Sequence, residues 1–277
     1  MAGTIADSLA DETARAVLSA LDGRRQIPSP VGRGGGLTLG EAYRVAASVR
    51  RLREARGERV VGRKVGFTNT SIWAEYAVDA PIWGYVYDTT LHRLADRAGS
   101  FGLAGVVEPR IEPEIVFGLG RAPAPGMDER ALLSCVEWVA HGFEIVQSLF
   151  PGWRFAAADT VAAFGLHGAL LLGPPAAVTA DAADAWFDAL ARFRITLLRD
   201  GAEADRGQAG NVLGGGPLSA LRHLVDGLAA DPASPPLAPG EIVSTGTLTR
   251  ALPVAAGERW STRLDGLPLA VIAVALS

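Results

Sequence analysis

From Val60 onward the chain breaks its apolar residues into short runs, each stopped by Gly or Pro. The runs are 60–67, 83–87, 110–119, 142–148, 168–172, 193–198, 242–245 and 269–276. Runs of this length, bounded by turn formers and rich in β-branched and aromatic residues, read as strands. Helical spacing appears instead at 4–22, 38–56, 128–140, 180–192 and 217–230. Thr38 with Glu41 three residues on is a capping-box pattern, and Pro217 suits the first turn of a helix. Strands and helices do not alternate regularly, which argues against a doubly wound parallel sheet. The expected architecture is α+β, with a helical N-terminal region over 1–58 and a β-rich core over 59–277. Gly, Pro and Arg fill a loop over 23–36, and the Pro-rich 231–239 stretch reads as a surface loop.

Composition narrows the chemistry. The 26 basic and 30 acidic residues of this 277-residue chain leave a net charge of −4, without the basic excess that nucleic acid or an anionic membrane would attract. Cys135 is the single cysteine, so an internal disulfide and a cysteine-based zinc or iron–sulfur site are excluded. His92, His141, His167 and His223 lack close metal-ligand spacing. Any bound metal must therefore rely mainly on oxygen ligands. The N-terminus has no basic segment ahead of an apolar one, and no apolar run approaches the about 18 residues of a membrane span. A cytoplasmic protein is the expectation.

Inside the 110–119 run stands Glu112-Pro113-Glu114. Residues i and i+2 of a strand share a face, about 7 Å apart at a rise of ~3.3 Å per residue. Two carboxylates at that separation repel by roughly 2 kcal/mol at an effective dielectric of about 20. The neighbours Ile111, Ile115, Val116 and Phe117 suggest burial, which makes unpaired anions costlier still. A hard divalent cation with oxygen ligands would relieve both. Glu144 is a third carboxylate within an apolar run. Acids on a solvent-facing edge strand, where Pro113 is at home, or acids paired with arginines, fit the same pattern.

Among the 26 basic residues Lys64 is the sole lysine; the other 25 are arginine. Arginine cannot replace lysine where a compact ammonium, or an amine able to lose its proton, is required. That is a physical reason for one lysine to persist in such a chain, and chance survival is the alternative.

Val61-Gly-Arg-Lys-Val-Gly-Phe-Thr68, Ala77-Val-Asp-Ala-Pro-Ile-Trp-Gly84 and Pro109-Arg-Ile-Glu-Pro-Glu-Ile115 together resemble the 2-keto-4-pentenoate hydratase and 4-oxalocrotonate decarboxylase family. That family is part of the fumarylacetoacetate hydrolase superfamily. The resemblance continues through Phe143-Glu-Ile-Val146, Asp159-Thr-Val-Ala162 and Gly240-Glu-Ile-Val-Ser-Thr-Gly-Thr-Leu-Thr249, and so covers nearly the whole chain. It implies a mixed β-roll core of the fumarylacetoacetate hydrolase C-terminal type and a homo-oligomer. It also implies Mg²⁺ or Mn²⁺ on Glu112, Glu114 and Glu144, with Lys64 as an active-site lysine. Asp79 matches an acidic position near the family's active site, or is a turn residue before Ala80-Pro81. Thr247 matches a hydroxyl that contacts the substrate carboxylate, or caps a turn.

Two departures stand out. Many family hydratases carry Asp-Asn-x-Ser-Ser-Gly where this chain has Ala163-Phe-Gly-Leu-His-Gly168, which puts His167 at the second serine. An aspartate that often follows the third metal-binding glutamate is here Gln147. With an ordinary pKa of ~6.5, His167 could be a replacement acid or base, or a packed histidine. The resemblance implies a lyase that hydrates a 2-hydroxy-2,4-dienoate to a 4-hydroxy-2-oxo acid in catabolism of aromatic compounds. Decarboxylation of a 2-oxo-3-enedioate, C–C hydrolysis of an acylpyruvate and non-catalytic binding of a small carboxylate are the alternatives. Arg63, Arg110 and Arg154 could recognise a second substrate carboxylate, or could be ordinary surface charges.

Overall fold

Two amphipathic helices open the chain in a computed structural model that describes residues 2–29, 36–76, 78–231 and 233–277. They are α1 (Ala2–Asp22) and α2 (Leu39–Ala55), and they pack on each other. The expected capping box starts α2: Thr38 Oγ1 accepts from the Glu41 amide at 3.2 Å, and Glu41 Oε2 accepts from the Thr38 amide at 2.8 Å. The loop expected over 23–36 lies partly outside the described residues.

There follow β1 (Val60–Gly66), α3 (Trp73–Tyr76), β2 (Ile82–Tyr87), β3 (Leu91–Arg93), β4 (Ser100–Phe101), β5 (Arg110–Leu119) and α4 (Glu129–Leu133). Next come β6 (Val136–Val146), α5 (Ala157–Ala162), β7 (His167–Leu172), β8 (Ala176–Ala177), α6 (Ala183–Arg192), β9 (Arg194–Arg199) and β10 (Ala202–Gln208). The chain closes with α7 (Pro217–Ala230), β11 (Ile242–Thr247), β12 (Leu252–Pro253), β13 (Arg259–Asp265) and β14 (Ala273–Leu276).

Among the described residues, one sheet of nine strands runs β2-β1-β11-β5-β6-β7-β3, with β12 beside β5 and β8 beside β6. The β1–β11 and β3–β7 pairs are parallel, and the β5 and β6 pairings are antiparallel. A second sheet of five strands runs β10-β9-β13-β14-β4. The fold is therefore the mixed α+β type expected.

One face of β5 and β6 carries the core, and position along the strands decides what it meets. Ile111, Phe143 and Ile145 meet Leu197 and Trp260 of the second sheet. Ile115, Phe117 and Val139 meet Leu190 of α6 and Leu221 and Leu224 of α7. The N-terminal helices share an apolar cluster with α5, through Val17, Val45, Val49, Val161 and Phe164.

Two expected boundaries are corrected. Helix 128–140 is only Glu129–Leu133, and the strand expected to begin at 142 begins at Val136. Asp128 caps the short helix through the Ala131 amide at 2.8 Å, and β5 then takes the following residues as its antiparallel partner. A short apolar run carries no periodicity that separates the two states, so long-range pairing decides. The C-terminal strand is Ala273–Leu276 rather than 269–276. Pro268 cannot donate to a ladder, and Leu269 N donates locally to Leu267 O.

Candidate metal centre and active-site cleft

Register alone brings the three glutamates together. Glu112 of β5 stands directly opposite Glu144 of β6, and Glu114 stands opposite Gly142. All three therefore project from one face of adjacent strands. Each offers an oxygen, and the three oxygens lie within 4.8 Å of one another. That is close to the about 4 Å spanned by opposite ligands of an ion with ~2.1 Å bonds.

Lys64 arrives by curvature. In the order β1-β11-β5-β6 it is three strand steps from Glu144, about 14 Å on a flat sheet at ~4.8 Å per step. Its Nζ nevertheless lies 3.2 Å from Glu144 Oε2, so the sheet rolls until the two side chains meet across the interior. The ammonium donates an aligned hydrogen bond to the Gly165 carbonyl at 3.0 Å, whereas its approach to Glu144 is close but not aligned as one. Gly165 sits in a turn where Phe164, Gly165 and Leu166 have φ of 63°, 62° and 62°. Left-handed non-glycine residues cost roughly 1–3 kcal/mol each, and here the strained turn aims a carbonyl at the lysine. A Cβ on Gly165 would also meet Lys64 Cδ at 3.2 Å.

The remaining contacts distinguish the carboxylates. Glu114 Oε2 accepts from Ser244 Oγ and from the Gly246 amide at 3.0 Å. Gly246 has φ 91°, and a Cβ there would strike Thr68, so this close approach requires glycine. Glu144 Oε1 accepts from His167 Nδ1 at 2.7 Å. Among the described residues, Glu114 Oε1 and Glu144 Oε2 are buried with no hydrogen-bond donor. Two such oxygens beside a third carboxylate form the donor set that a hard cation completes.

The electrostatics agree. Burial, then the Glu144 and Glu112 charges, pushes Glu114 well above the ordinary carboxyl range. Glu112 is half-buried, with one edge on the cleft. Burial and Glu144, opposed by Lys64, push it up to about 7. Burial would raise Glu144 too, but Lys64 and His167 outweigh it and the net direction is down. Burial pulls Lys64 down, yet Glu144, Glu112 and Glu114 together carry it above its usual value. Without a cation, then, the ion pair is Lys64–Glu144, and burial favours the protonated form of the other two carboxyls, Glu114 most of all.

The cleft over this cluster is lined by Lys64, Glu112 and Thr247 at its floor and by Val146, Trp153 and Phe155 on its walls. The Thr247 hydroxyl faces this cleft and donates to Thr249 O at 2.9 Å, the turn-capping contact. His167 does not line the cleft: it stands behind Glu144, with Nε2 2.9 Å from Thr90 Oγ1. Burial pushes its pKa down in spite of Glu144. Burial thus favours the neutral ring, with Nδ1 set against Glu144 and Nε2 set against the Thr90 hydroxyl. Asp79 is exposed in the loop before β2 and lies outside the cleft lining. Gln147 is buried, accepting from the Val107 amide at 3.2 Å and donating to His167 O at 3.3 Å.

None of the three arginines lines the cleft. Arg63 points to the other face of β1, where its Nη1 meets Glu241 at 3.1 Å. The open depression there, of about 560 Å³, has its charges paired, Arg50 with Glu54 and Arg59 with Asp88. Arg110 stacks on Trp153, 4.1 Å from the ring centre, and Arg154 is exposed. The roles of Ser244, Gly246, Thr90 and the left-handed turn at 164–166 are not legible in the sequence, because each acts through a non-local contact that strand pairing or the roll of the sheet creates.

No protein-family model matches the chain. It is 32% identical over 236 residues to a 2-hydroxyhexa-2,4-dienoate hydratase of Comamonas testosteroni, covering 83% of this chain and 84% of that protein. It is 30% identical over 233 residues to a 4-oxalocrotonate decarboxylase of Pseudomonas sp. strain CF600, covering 83% of each. In structure it is similar to the 4-oxalocrotonate decarboxylase of Pseudomonas putida G7 complexed with magnesium and adipate, at TM-score 0.85 and 23% identity over 98% of both chains. With its rolled sheet and its likeness to these enzymes over most of its length, the chain belongs to the 2-keto-4-pentenoate hydratase and 4-oxalocrotonate decarboxylase family.

Proposed function

We propose that this protein is a divalent-cation-dependent lyase that hydrates a 2-hydroxy-2,4-dienoate to a 4-hydroxy-2-oxo acid, a step in catabolism of aromatic compounds. The observation that carries the proposal is the pair of donorless carboxylate oxygens, Glu114 Oε1 and Glu144 Oε2, beside Lys64 under an apolar-walled cleft. Hydratase names recur among the relatives, including one at 32% identity.

Glu112, Glu114 and Glu144 would hold the ion, Mg²⁺ or Mn²⁺, which supplies Lewis-acid stabilisation of negative charge on the substrate's carboxylate and 2-oxygen. Lys64 has three N–H donors. One is held by Gly165 O, and the ammonium faces Glu144 as a charge without an N–H aligned on it. The others are left for a substrate oxygen or for moving a proton. Thr247 lines the cleft and would hold the substrate carboxylate by turning its hydroxyl from Thr249 O to the ligand. His167 keeps Glu144 ionised and oriented, a positioning role rather than proton donation to substrate. The apolar walls exclude bulk water from the dienoate, so that one water adds across the activated double bond with no redox change. The exposed Asp79 takes no part.

Decarboxylation of a 2-oxo-3-enedioate is the second reading, favoured by the relative of that name at 30% identity. C–C hydrolysis requires a water-activating base in the cleft, and His167 stands outside its lining.

The test is the ultraviolet absorbance of 2-hydroxypenta-2,4-dienoate with purified protein, first with Mg²⁺ and then with excess EDTA. Loss of signal only with metal, yielding 4-hydroxy-2-oxopentanoate, is expected. Metal-independent loss, or none with Mg²⁺, would overturn the reading.

A further inference from the structure

Antiparallel register builds a basic depression on the second sheet. Arg206 of β10 and Arg263 of β13 both stand opposite Thr196 of the central strand β9, and Gln208 and Asp265 both stand opposite Arg194. Ile195 and Leu197 turn to the core, so these six side chains form two rows on the other face. At ~4.8 Å per strand step, Arg206 and Arg263 flank the short Thr196 about 10 Å apart. The depression holds about 490 Å³, and Asp265 is the single acid in its lining against three arginines. That is a local excess of two positive charges on a chain whose net charge is −4. The compensation is weak. Arg206 meets Glu203 at 2.7 Å with both side chains exposed, a kind of pair that exchanges readily. Arg263 donates to Thr196 Oγ1 at 3.4 Å, and among the described residues neither Arg194 nor Arg263 has an ion-pair partner. The depression also backs onto the cleft through one residue. Asn211 of its lining donates through Nδ2 to Leu248 O at 2.9 Å, and Leu248 N donates to Pro113 O at 3.1 Å, between Glu112 and Glu114. Leu248 directly follows Thr247 of the cleft lining.

We propose that this depression is a second ligand site, that it takes a compact dianion (a phosphate monoester or a short dicarboxylate), and that its occupation is felt in the cleft through Asn211 and Leu248. Guanidinium forks hold phosphate and carboxylate oxygens in bidentate pairs. The Thr196 hydroxyl and the second Asn211 Nδ2 proton add neutral donors. A double negative charge matches the local excess, and a monoanion leaves part of it unmet. The positive patch on an acidic chain also gathers anions from solution. Binding at this site is independent of the proposed function; only the readout in the cleft rests on it.

The experiment is isothermal calorimetry of the metal-free protein at low salt with phenyl phosphate, succinate and acetate. A Kd of about 1 mM or tighter is expected for at least one dianion, and binding at least about tenfold weaker for acetate. The tighter of phenyl phosphate and succinate identifies the source of the dianion. Arg194→Gln and Arg263→Gln are each expected to weaken binding about tenfold, the loss of one charge-assisted pair. Arg199→Gln, which removes an exposed arginine of β9 outside the lining, is expected to leave binding unchanged. At saturating Mg²⁺ the bound dianion is expected to shift KM for 2-hydroxypenta-2,4-dienoate at least about threefold in the native protein and not in the Arg194→Gln, Arg263→Gln double variant. No dianion bound at about 10 mM, binding that survives both arginine changes, or an equal loss in Arg199→Gln overturns the site and leaves the proposed function standing. An oligomer that the double variant dissociates, with no dianion bound by the native protein, overturns it in favour of a contact between copies of the chain. Intact binding with an unmoved KM overturns the link to the cleft alone. Intact binding without turnover of the dienoate overturns the proposed function alone.

Discussion

The two faces of the β5–β6 pair bury polar groups equally well and treat them in opposite ways. On the outer face, His141 is 1% exposed, and both ring nitrogens have partners: Glu114 O at 2.9 Å and Thr262 Oγ1 at 3.0 Å. On the inner face, Glu114 and Glu144 are 0% exposed, and each keeps an oxygen without a donor. A buried polar group with every bond made is architecture, and its burial is compensated locally. A buried carboxylate left open is unfavourable unless something outside the chain completes it. The difference separates residues that hold the roll together from residues that await a ligand.

The largest effect should come from breaking the inner face. Glu114→Gln removes one anionic ligand and is expected to lower Mg²⁺ affinity by at least about a thousandfold, read by calorimetry. The same change relieves burial of a carboxyl among like charges, so the metal-free variant should unfold about 1–2 kcal/mol later in urea. Unchanged affinity would show that the open oxygens are not ligands.

The outer face should respond the other way. His141→Leu orphans the Glu114 carbonyl and the Thr262 hydroxyl, and is expected to cost about 3 kcal/mol of stability. Mg²⁺ affinity of the folded fraction should change less than about threefold, since the inner carboxylates keep their contacts. A large loss of metal binding with little loss of stability would dissolve the contrast.

Much of this contrast could be read from the sequence. Glu112 and Glu114 share a face because strands alternate, and the scarcity of lysine singled out Lys64. Neither argument could show that Glu112 would stand opposite Glu144, nor that the sheet would roll far enough to bring β1 onto β6; both depend on non-local pairing. Residues 128–140 failed for the same reason, since β5 and not local periodicity turned Val136 onward into strand. His141 and His167 look alike in sequence, each beside a glycine and apolar neighbours. Only the fold distinguishes the one bonded to a backbone carbonyl from the one bonded to Glu144.

That distinction supports a smaller, sharper test. His167→Gln is expected to lower Mg²⁺ affinity by about 10–100-fold, the usual consequence of losing a partner that orients a ligand. Turnover should recover substantially at saturating Mg²⁺. Intact metal affinity with turnover abolished would instead make His167 a proton donor.

Acidity provides the subtlest comparison, because the two faces titrate in opposite directions over overlapping ranges. Glu112 has a folded pKa raised to about 7, so its contribution to metal-free stability is fully present below the ordinary carboxyl pKa of about 4.5 and is lost as pH rises through 7. Burial holds His141 down to about 4 against an ordinary value of 6.5, so its contribution is present above 6.5 and is lost as pH falls through 4. For His141 that amounts to up to about 3 kcal/mol, while the cleft-facing edge of Glu112 reduces its share through solvent screening. In EDTA the raised Glu112 and Glu114 oppose the lowered His141 and His167 between about pH 4.5 and 6.5, and urea midpoints should vary little. Saturating Mg²⁺ ionises the glutamates in the folded state and removes the first slope, so stability should then rise with pH across that window. Metal affinity itself should climb about tenfold per pH unit for each proton displaced, levelling off only once the glutamates are ionised. A stability profile that Mg²⁺ leaves unchanged would mean that the inner carboxylates are not what the metal engages.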